Sequence, residues 1–223
     1  MFDSRSAVVA DIIPDRSTAS RLGTGTTDQV IVVDVHHFLR LIDELVRQGK
    51  RNLTVIANDT AQPGRGIGKL VDAGLVSHTI ASHIGLNPET QRQMIAGKMV
   101  VELVPQGTLI ERIRAGGYGL GGVLTATGVG TVVQEGKQRI DVNGKNYLLE
   151  TALRADFALV GAFVADYLGN LAYALTARNF NPIVAMAADT TVVTAEHIVP
   201  VGVIAPDHVM TPAPLVDYLV ENG

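Results

Sequence analysis

Short runs rich in β-branched residues recur along the chain, and most of them are apolar at nearly every position. Continuously apolar runs are typical of strands that are covered on both faces, as in parallel sheets, whereas half-buried strands alternate apolar and polar residues. The pattern therefore predicts a largely parallel sheet enclosed by other elements. The predicted strands are 30–35, 53–57, 76–82, 99–104, 157–164 and 182–188.

Segments with helical periodicity lie between these runs. In segment 37–49 the apolar residues recur at helical spacing, and Gly49 suits the residue that ends a helix. Segment 87–97 opens with Asn87, a preferred capping residue, followed by Pro88 at the first helical position. Strands that alternate with helices favour an α/β fold with right-handed crossovers.

One segment departs from this alternation. Residues 138–150 place Asn143 and Gly144 between alternating apolar residues, and Asn-Gly favours a two-residue turn between antiparallel strands. A small β-hairpin is therefore expected beside the main sheet. No internal repeat or linker divides the chain, so residues 1–223 are interpreted as a single domain.

Composition excludes several classes of function. The 223 residues are 47% hydrophobic and 18% charged, carry a net charge of −4 and include no cysteine. Nucleic-acid binding is not expected without clustered Lys and Arg, and disulfide or thiolate chemistry is excluded. The first residues carry acids and lack a signal-peptide core, and no apolar run approaches the length of a membrane span. The sequence thus predicts a cytoplasmic protein that does not bind membranes.

No catalytic motif stands out within the chain itself. The six histidines show no metal-ligand spacing, so no metal site and no cofactor are expected. A G-x-S-x-G nucleophile motif is absent. Segments 23–28 and 64–70 match nucleotide-binding glycine loops poorly, because the required glycines and the Ser or Thr after the lysine are missing.

Residues 105–122 combine a short charged helix with several glycines. Thr108 and Glu111 have the spacing of a capping box, which predicts a helix that begins after Gly107. The helix is expected to end at Gly116, because glycine suits the left-handed backbone conformation of the residue that follows a helix. The functional alternative is that these glycines let backbone N–H groups approach an anion or a carbonyl oxygen closely.

Five longer segments together resemble the A (alpha) subunit of the family I 3-oxoacid CoA-transferases, which include acetoacetate and butyrate–acetoacetate CoA-transferases. The resemblance runs in order from about residue 41 to about residue 212. It is carried by LTVIANDTA (53–61), ASHIGLNPET (81–90), LVPQGTLIERIRAGGYGLGGVLTATGVGT (103–131), LLETALRADFALVGAFVADYLGNLAY (148–173) and ARNFNPIVAMAADTTVV (177–193).

This resemblance implies an open α/β subunit that works in a hetero-oligomer with a B subunit. A glutamate of the B subunit attacks the acyl-CoA thioester and carries CoA to the acceptor acid, which is covalent catalysis by a carboxylate. The CoA thioester is then a substrate and not a cofactor. The B-subunit motif Ser-Glu-Asn-Gly has no internal counterpart here. Residues 220–223 (VENG) are similar to this motif. Glu221 is nevertheless rejected as the nucleophile, because it lies two residues from the chain end, where fraying is expected. No catalytic residue is therefore expected in this chain.

By the same resemblance, two glycine-containing loops should border the active cleft: the turn at Gln106 and Gly107, and the loop 116–122. Asn58 follows a predicted strand and is a further candidate, whereas Asn87 is better explained as a helix cap. The predicted substrate-binding residues are Asn58, Gln106, Gly107, Gly116, Gly117 and Gly119.

The segment 19–40 is atypical for the family. It lacks the expected Gly-Gly-Phe motif and is about eight residues longer than the resemblance implies. Either the region has diverged, with a changed or lost activity, or it is locally shifted in reading frame. We expect residues 19–29 to be poorly ordered or unusual. The altered segment also motivates an alternative function, a non-catalytic metabolite-binding or regulatory protein on the same fold.

Overall fold

The computed structural model describes residues 30–33 and 39–221. Within them, eleven strands form two sheets. The strands are β1 (Val30–Val33), β2 (Leu53–Asp59), β3 (Val76–His83), β4 (Val100–Leu103), β5 (Gly122–Thr125), β6 (Arg139–Val142), β7 (Lys145–Thr151), β8 (Ala155–Asp166), β9 (Leu171–Ala172), β10 (Ala188–Val199) and β11 (Tyr218–Glu221).

Seven of the described strands form a parallel sheet in the order β11-β10-β8-β1-β2-β3-β4, and β9 adds an antiparallel pair to β8. From β1 the chain moves outward through β2 and β3 to β4. It later returns to the other side of β1 and moves outward again through β8 and β10. The strand order therefore reverses between β1 and β8. In open α/β sheets, such a reversal opens a crevice at the carboxyl ends of the strands.

Helices cover both faces of the sheet. One apolar core joins β1, β2 and β8 to the first two helices, and a second core joins the opposite face to the last two. The predicted α/β fold with an open, largely parallel sheet is thus confirmed. The described helices are α1 (Leu39–Gln48), α2 (Gly68–Asp72), α3 (Pro88–Ile95), α4 (Gln106–Gly117) and α5 (Asn181–Val184).

The predicted hairpin is also confirmed. Asn143 and Gly144 both have positive φ, 54° and 78°, and they connect β6 to β7. Asp141 supports the turn by accepting from the N–H of Gly144 at 3.0 Å. Strand β5 pairs with the other side of β7, so the hairpin belongs to a small three-stranded antiparallel sheet inserted between α4 and β8.

The prediction of a strand at 182–188 is wrong. Residues 181–184 form α5, and β10 begins only at Ala188. Asn181 accepts from the N–H of Gly161 in β8 at 3.0 Å and donates to the carbonyl of Ala177 at 3.1 Å, which holds this helical turn on the sheet. A short apolar run does not by itself distinguish a buried helix from a strand, and Pro182 suits a helix start.

Two predictions concern the less regular ends of the chain. The segment 19–29, predicted to be unusual, lies outside the described residues. Glu221 is the last residue of β11 and pairs in register with Ala195 of β10. Strand pairing therefore extends to Glu221, and fraying at this end of the chain stays a prediction. In the described part of the chain, no helix is long and apolar enough to cross a membrane.

Candidate active site

The carboxyl ends of β2, β3 and β4 bring together three of the predicted site residues. Asn58 is the second-last residue of β2, and Gln106 and Gly107 follow β4 at the start of α4. Because the three strands are adjacent and parallel, these ends meet at one edge of the sheet. This edge is next to the crevice between β1 and β8, where open α/β sheets bind ligands.

Strand alternation places Asn58 on the face that α4 covers. Ile56 and Ile80 belong to the same core as Leu109 of α4. Asn58 lies two residues beyond Ile56, and Ser82 lies two residues beyond Ile80, so both side chains are on this face. The N–H of Val104 donates to the carbonyl of Ala81 at 2.9 Å, which seats the turn into α4 beside the end of β3. The start of α4 therefore lies beside the end of β3, at the same edge of the sheet as Asn58 and Ser82.

Ser82 is bonded to Asn58 twice. Its hydroxyl lies 2.8 Å from the main-chain carbonyl of Asn58 and 2.9 Å from the side-chain Oδ1. Both residues are half-buried. No described residue accepts a hydrogen bond from Nδ2 of Asn58. The amide group is therefore anchored through its oxygen, and its two N–H donors remain available.

Helix α4 begins without a capping side chain. Pro105 occupies the N-cap position, and the first turn contains no acidic residue. The N–H of Leu109 is the first to bond, to the carbonyl of Pro105 at 2.9 Å, and no described residue accepts from the N–H groups of Gln106, Gly107 or Thr108. The unpaired N–H groups at a helix start carry partial positive charge, which favours a negatively charged oxygen.

The predicted capping box at Thr108 and Glu111 is wrong. The helix begins at Gln106, two residues earlier, because Pro105 and not Thr108 occupies the N-cap position. Thr108 lies inside the first turn, is 4% exposed, and has no hydrogen-bond partner for its hydroxyl in the described part of the chain. Glu111 instead pairs with Arg114 one turn along the helix, at 3.0 Å.

The remaining predicted site residues lie at the other end of α4. A Cβ on Gly116 would be 1.9 Å from the carbonyl oxygen of Leu153, and one on Gly117 would be 2.8 Å from Cβ of Met186. Both glycines are thus needed where the helix contacts neighbouring backbone and side chains. The left-handed residue is Gly119, with φ of 71°, and not Gly116.

Helix geometry separates the two sets of predicted residues. Gln106 and Gly116 are ten residues apart, which is about 15 Å along a helix. Leu153, which contacts Gly116, lies two residues before β8 begins and so is at the amino ends of the strands. The structure places Asn58, Gln106 and Gly107 at the same carboxyl edge of the sheet, and it places Gly116, Gly117 and Gly119 at the other end of α4.

Other loops at the carboxyl edge are closed by their own side chains. Asn87, as predicted, caps α3 by accepting from the N–H groups of Glu89 and Thr90, and it also donates to the carbonyl of Thr60 at 2.9 Å. These bonds occupy both ends of the Asn87 amide, so this residue holds the loop after β2 against α3.

The turn after β8 is closed by Asp166. Burial raises the pKa of the Asp166 carboxyl, but hydrogen bonds from Asn170 and from the N–H of Leu168 outweigh burial and lower the pKa below its usual 3.8. Because the folded pKa is depressed, this carboxylate stabilises the fold above pH 3.8. That contribution is lost as the pH falls through the folded value.

A second concave region lies under the small sheet. The pocket has a volume of about 330 Å³, and charged residues of α4, β4 and β7 line it. Arg112 donates to Glu102 at 2.7 Å and lies 4.0 Å from Glu150, whose other oxygen accepts from Lys137 at 2.7 Å. Each charge here faces an opposite charge, so the network holds the small sheet to the main domain. Among the described residues, no cluster of three His, Asp or Glu side chains is arranged to hold a metal ion.

The sequence pattern described as Coenzyme A transferase matches residues 39–222. The chain belongs to this family. Because the match begins at residue 39, it leaves out almost all of the atypical segment 19–40. The family assignment also agrees with the resemblance noted in the sequence.

Two relatives of this CoA transferase chain align over about four-fifths of its length. It is 58% identical over 181 residues to the acetate CoA-transferase subunit alpha of Escherichia coli K12, with 81% of this chain and 82% of that protein covered. It is 50% identical over 183 residues to the acetoacetyl-CoA:acetate/butyrate CoA transferase alpha subunit of Clostridium acetobutylicum, with 82% and 84% covered.

The fold of this CoA transferase chain is also similar to that of a solved structure. The acyl-CoA transferase of Escherichia coli O157:H7, in a thioester complex with CoA, superimposes with a TM-score of 0.77 at 22% identity. The superposition covers 87% of this chain and 44% of that chain. At this identity the likeness concerns the fold alone.

Sequence reasoning did not identify Ser82 as part of the site. The signal was present, because Asn58 and Ser82 stand at equivalent positions near the ends of two consecutive predicted strands. What was missing was the register, which pairs Ala57 with Ala81 and so places the next residues side by side. Register depends on tertiary packing and is not visible in either strand alone.

Proposed function

We propose that this chain is the alpha-type subunit of a CoA-transferase that moves CoA between succinyl- or acetyl-CoA and a short-chain 3-oxo or fatty acid. A B subunit supplies the attacking glutamate in a hetero-oligomer, and the CoA thioester is a substrate. The observation that carries this proposal is the set of unpaired hydrogen-bond donors at the carboxyl edge, on Asn58 and at the start of α4.

The chemistry of CoA transfer requires such donors. When a carboxylate attacks a thioester, the carbonyl oxygen gains negative charge, and donors that are already in place stabilise that charge without reorganising. The Asn58 amide and the N–H groups of Gln106 and Gly107 provide donors of this kind. Gln106 is exposed and stands beside them, so its side-chain amide is available to orient the carboxylate of the acid.

The alpha-type assignment is supported by the relatives. Both are named alpha subunits, and their identity to this chain extends over most of both proteins. Contact of substrate with Gly116, Gly117 and Gly119 stays a prediction, and their packing contacts give an independent reason for glycine at 116 and 117. A cytoplasmic location also stays a prediction.

The test is reconstitution. We expect the purified chain to be inactive alone and to exchange CoA between acetyl-CoA and acetoacetate when it is combined with a B subunit. Hydroxylamine or borohydride trapping should then modify a glutamate of the B subunit. A modified glutamate in this chain would contradict the proposal. Ligand binding by the reconstituted pair without CoA exchange would instead support the alternative, a metabolite-binding protein.

A side-chain test examines the site itself. We expect Gln106→Ala in the reconstituted enzyme to reduce kcat/KM by about 100-fold if the side chain acts as a donor in the transition state. The matched control is Gln138→Ala, an exposed glutamine at the small sheet, which should stay within about twofold because surface changes away from a site have little effect. Equal losses in both variants would contradict the site assignment.

A further inference from the structure

We propose that Ser82 is a positioning residue that holds the Asn58 amide at one angle, so that the N–H donors of Asn58 stay directed at the reacting thioester. This inference rests on the proposed function, because it concerns how the proposed site is held in its active geometry. Ser82 itself is not proposed to contact the substrate.

The two hydrogen bonds hold both parts of Asn58 with one group. The Ser82 hydroxyl lies 2.8 Å from the main-chain carbonyl of Asn58 and 2.9 Å from Oδ1, so its single proton is shared between two acceptors of the same residue. A shared proton fixes the side chain relative to its own backbone. The clamp also spans two strands, since Ser82 belongs to β3 and Asn58 to β2.

Fixing Oδ1 also fixes Nδ2. The two atoms branch from the same carbon, so an oxygen held against β3 turns the amino group away from β3. Terminal amide torsions are broad, so the Asn58 amide without this hydrogen bond has no strongly preferred angle of its own. N–H donors held in one place stabilise the negative charge that develops on the thioester oxygen, whereas a rotating amide presents them only part of the time.

The surroundings of Asn58 offer no substitute for Ser82. Among the described residues, no other side chain bonds to the Asn58 amide. Removing the Ser82 hydroxyl therefore leaves the Asn58 amide free to turn. The strand pairing of β2 with β3 is made by the backbone and does not depend on this hydroxyl.

A matched control lies on the same strand. Ser77 of β3 also bonds across to β2, through its hydroxyl to the carbonyl of Leu53 at 3.4 Å. It stands near the amino end of β3, remote from the proposed site. Ser77→Ala and Ser82→Ala remove the same atom from the same strand, so only a role in the site makes their kinetic effects differ.

The experiment is a double-mutant cycle in the reconstituted enzyme, assayed for CoA exchange between acetyl-CoA and acetoacetate. We expect Ser82→Ala to lower kcat by about 10-fold with KM nearly unchanged, because the amide then samples a broad range of angles and presents its donors only part of the time. Asn58→Ala should lower kcat by about 100-fold. Adding Ser82→Ala to Asn58→Ala should cause no further loss, since the residue it positions is already absent.

Conservative variants and the control complete the test. Ser82→Thr keeps the hydroxyl and should restore most of the activity, whereas Ser82→Cys keeps the volume with a weak donor and should behave as Ser82→Ala. Ser77→Ala should match the unmodified enzyme. The unfolding temperatures of all variants show whether a loss of activity is caused by a loss of folded protein.

Three results would overturn the inference: normal kcat in Ser82→Ala while Asn58→Ala is impaired, an equal loss from Ser82→Ala in both backgrounds, or equal losses from Ser77→Ala and Ser82→Ala. The proposed function fails differently. If Asn58→Ala and Gln106→Ala both leave CoA exchange unchanged, the site itself is misplaced and Ser82 has nothing to position.

Discussion

Helices α3 and α4 both begin at the carboxyl edge of the main sheet, but only α3 is capped by its own chain. Asn87 accepts from the first N–H groups of α3, and Glu89 adds a negative charge to its first turn. Hydrogen bonds from Arg92 and Gln93 lower the pKa of Glu89 to about 2, so this charge persists at neutral pH. At α4 the corresponding positions are Pro105 and residues without charge.

The two helix starts differ in whether their first backbone N–H groups have a hydrogen-bond partner within the chain. The start of α3 is closed because its loop must be held in place, and Asn87 does so by also bonding Thr60. The start of α4 lacks the stability that a cap would add, about 1 kcal/mol, and keeps its N–H groups unpaired at the edge of the sheet that also carries Asn58. We interpret the open start as the functional one.

The largest effect is expected at the far end of α4. Gly116→Ala forces a Cβ against the carbonyl oxygen of Leu153, a contact of 1.9 Å that only a backbone shift relieves. We expect the free energy of unfolding to fall by about 3 kcal/mol, the upper end of the usual range for overpacking. Denaturant unfolding of the purified chain, alone and with its proposed partner, measures this.

Gly107→Ala is the matched control on the same helix. A Cβ at Gly107 would meet no heavy atom within 4 Å, so the same chemical change should stabilise the helix by about 0.5 kcal/mol through its higher helix propensity. If the two variants were equally destabilised, the two ends of α4 would not differ as described here.

An intermediate effect is expected from removing the cap of α3. Asn87→Ala should lower the free energy of unfolding by about 2 kcal/mol, about half from the lost cap and half from the lost bond to Thr60. Gln106→Ala at the start of α4 should change stability by less than about 0.5 kcal/mol, because its side chain is exposed. Thermal unfolding measures the loss of stability in both variants. A larger loss for Gln106→Ala than for Asn87→Ala would contradict the conclusion that only α3 is capped by its own chain.

A change in stability as small as that of Gly107→Ala is expected when α4 is given the charge that α3 already has. Gly107→Asp places a carboxylate in the first turn of α4 and should stabilise the helix by about 0.5 kcal/mol. The same carboxylate competes for the unpaired N–H groups, so CoA exchange should fall by at least about 10-fold. Gly107→Ala, which keeps the N–H groups free, should retain activity. An active Gly107→Asp enzyme would show that these donors are not used.

Much of the secondary structure could be predicted because its causes are local. Asn143 and Gly144 adopt the positive φ that their turn requires, and Asn87 with Pro88 marks the start of α3. The run 182–188 was predicted wrongly because its apolar residues fit both a buried helix and a strand. Only the contact of Asn181 with β8 decides between them.

The candidate site could be predicted only in part. The family resemblance directed attention to Asn58, Gln106 and Gly107, and strand order brings these residues to one edge. It also grouped Gly116 with them, although a rigid helix separates residues that are ten positions apart. The positions of Asn58 and Ser82 near strand ends were visible in the sequence, but their contact was not, because the register that joins residues 24 positions apart on neighbouring strands depends on tertiary packing.

The sequence by itself determined the elements whose causes are local, such as the β6–β7 turn and the start of α3, because periodicity and turn residues act over a few neighbouring positions. It also determined the family, through long motifs that occur in order. The tertiary structure alone decided which donors remain unpaired, since that depends on the partner each N–H group finds across the sheet. Helix α4 shows both: its residues specify a helix, but only the packed fold buries the glycines at its end and leaves its beginning open.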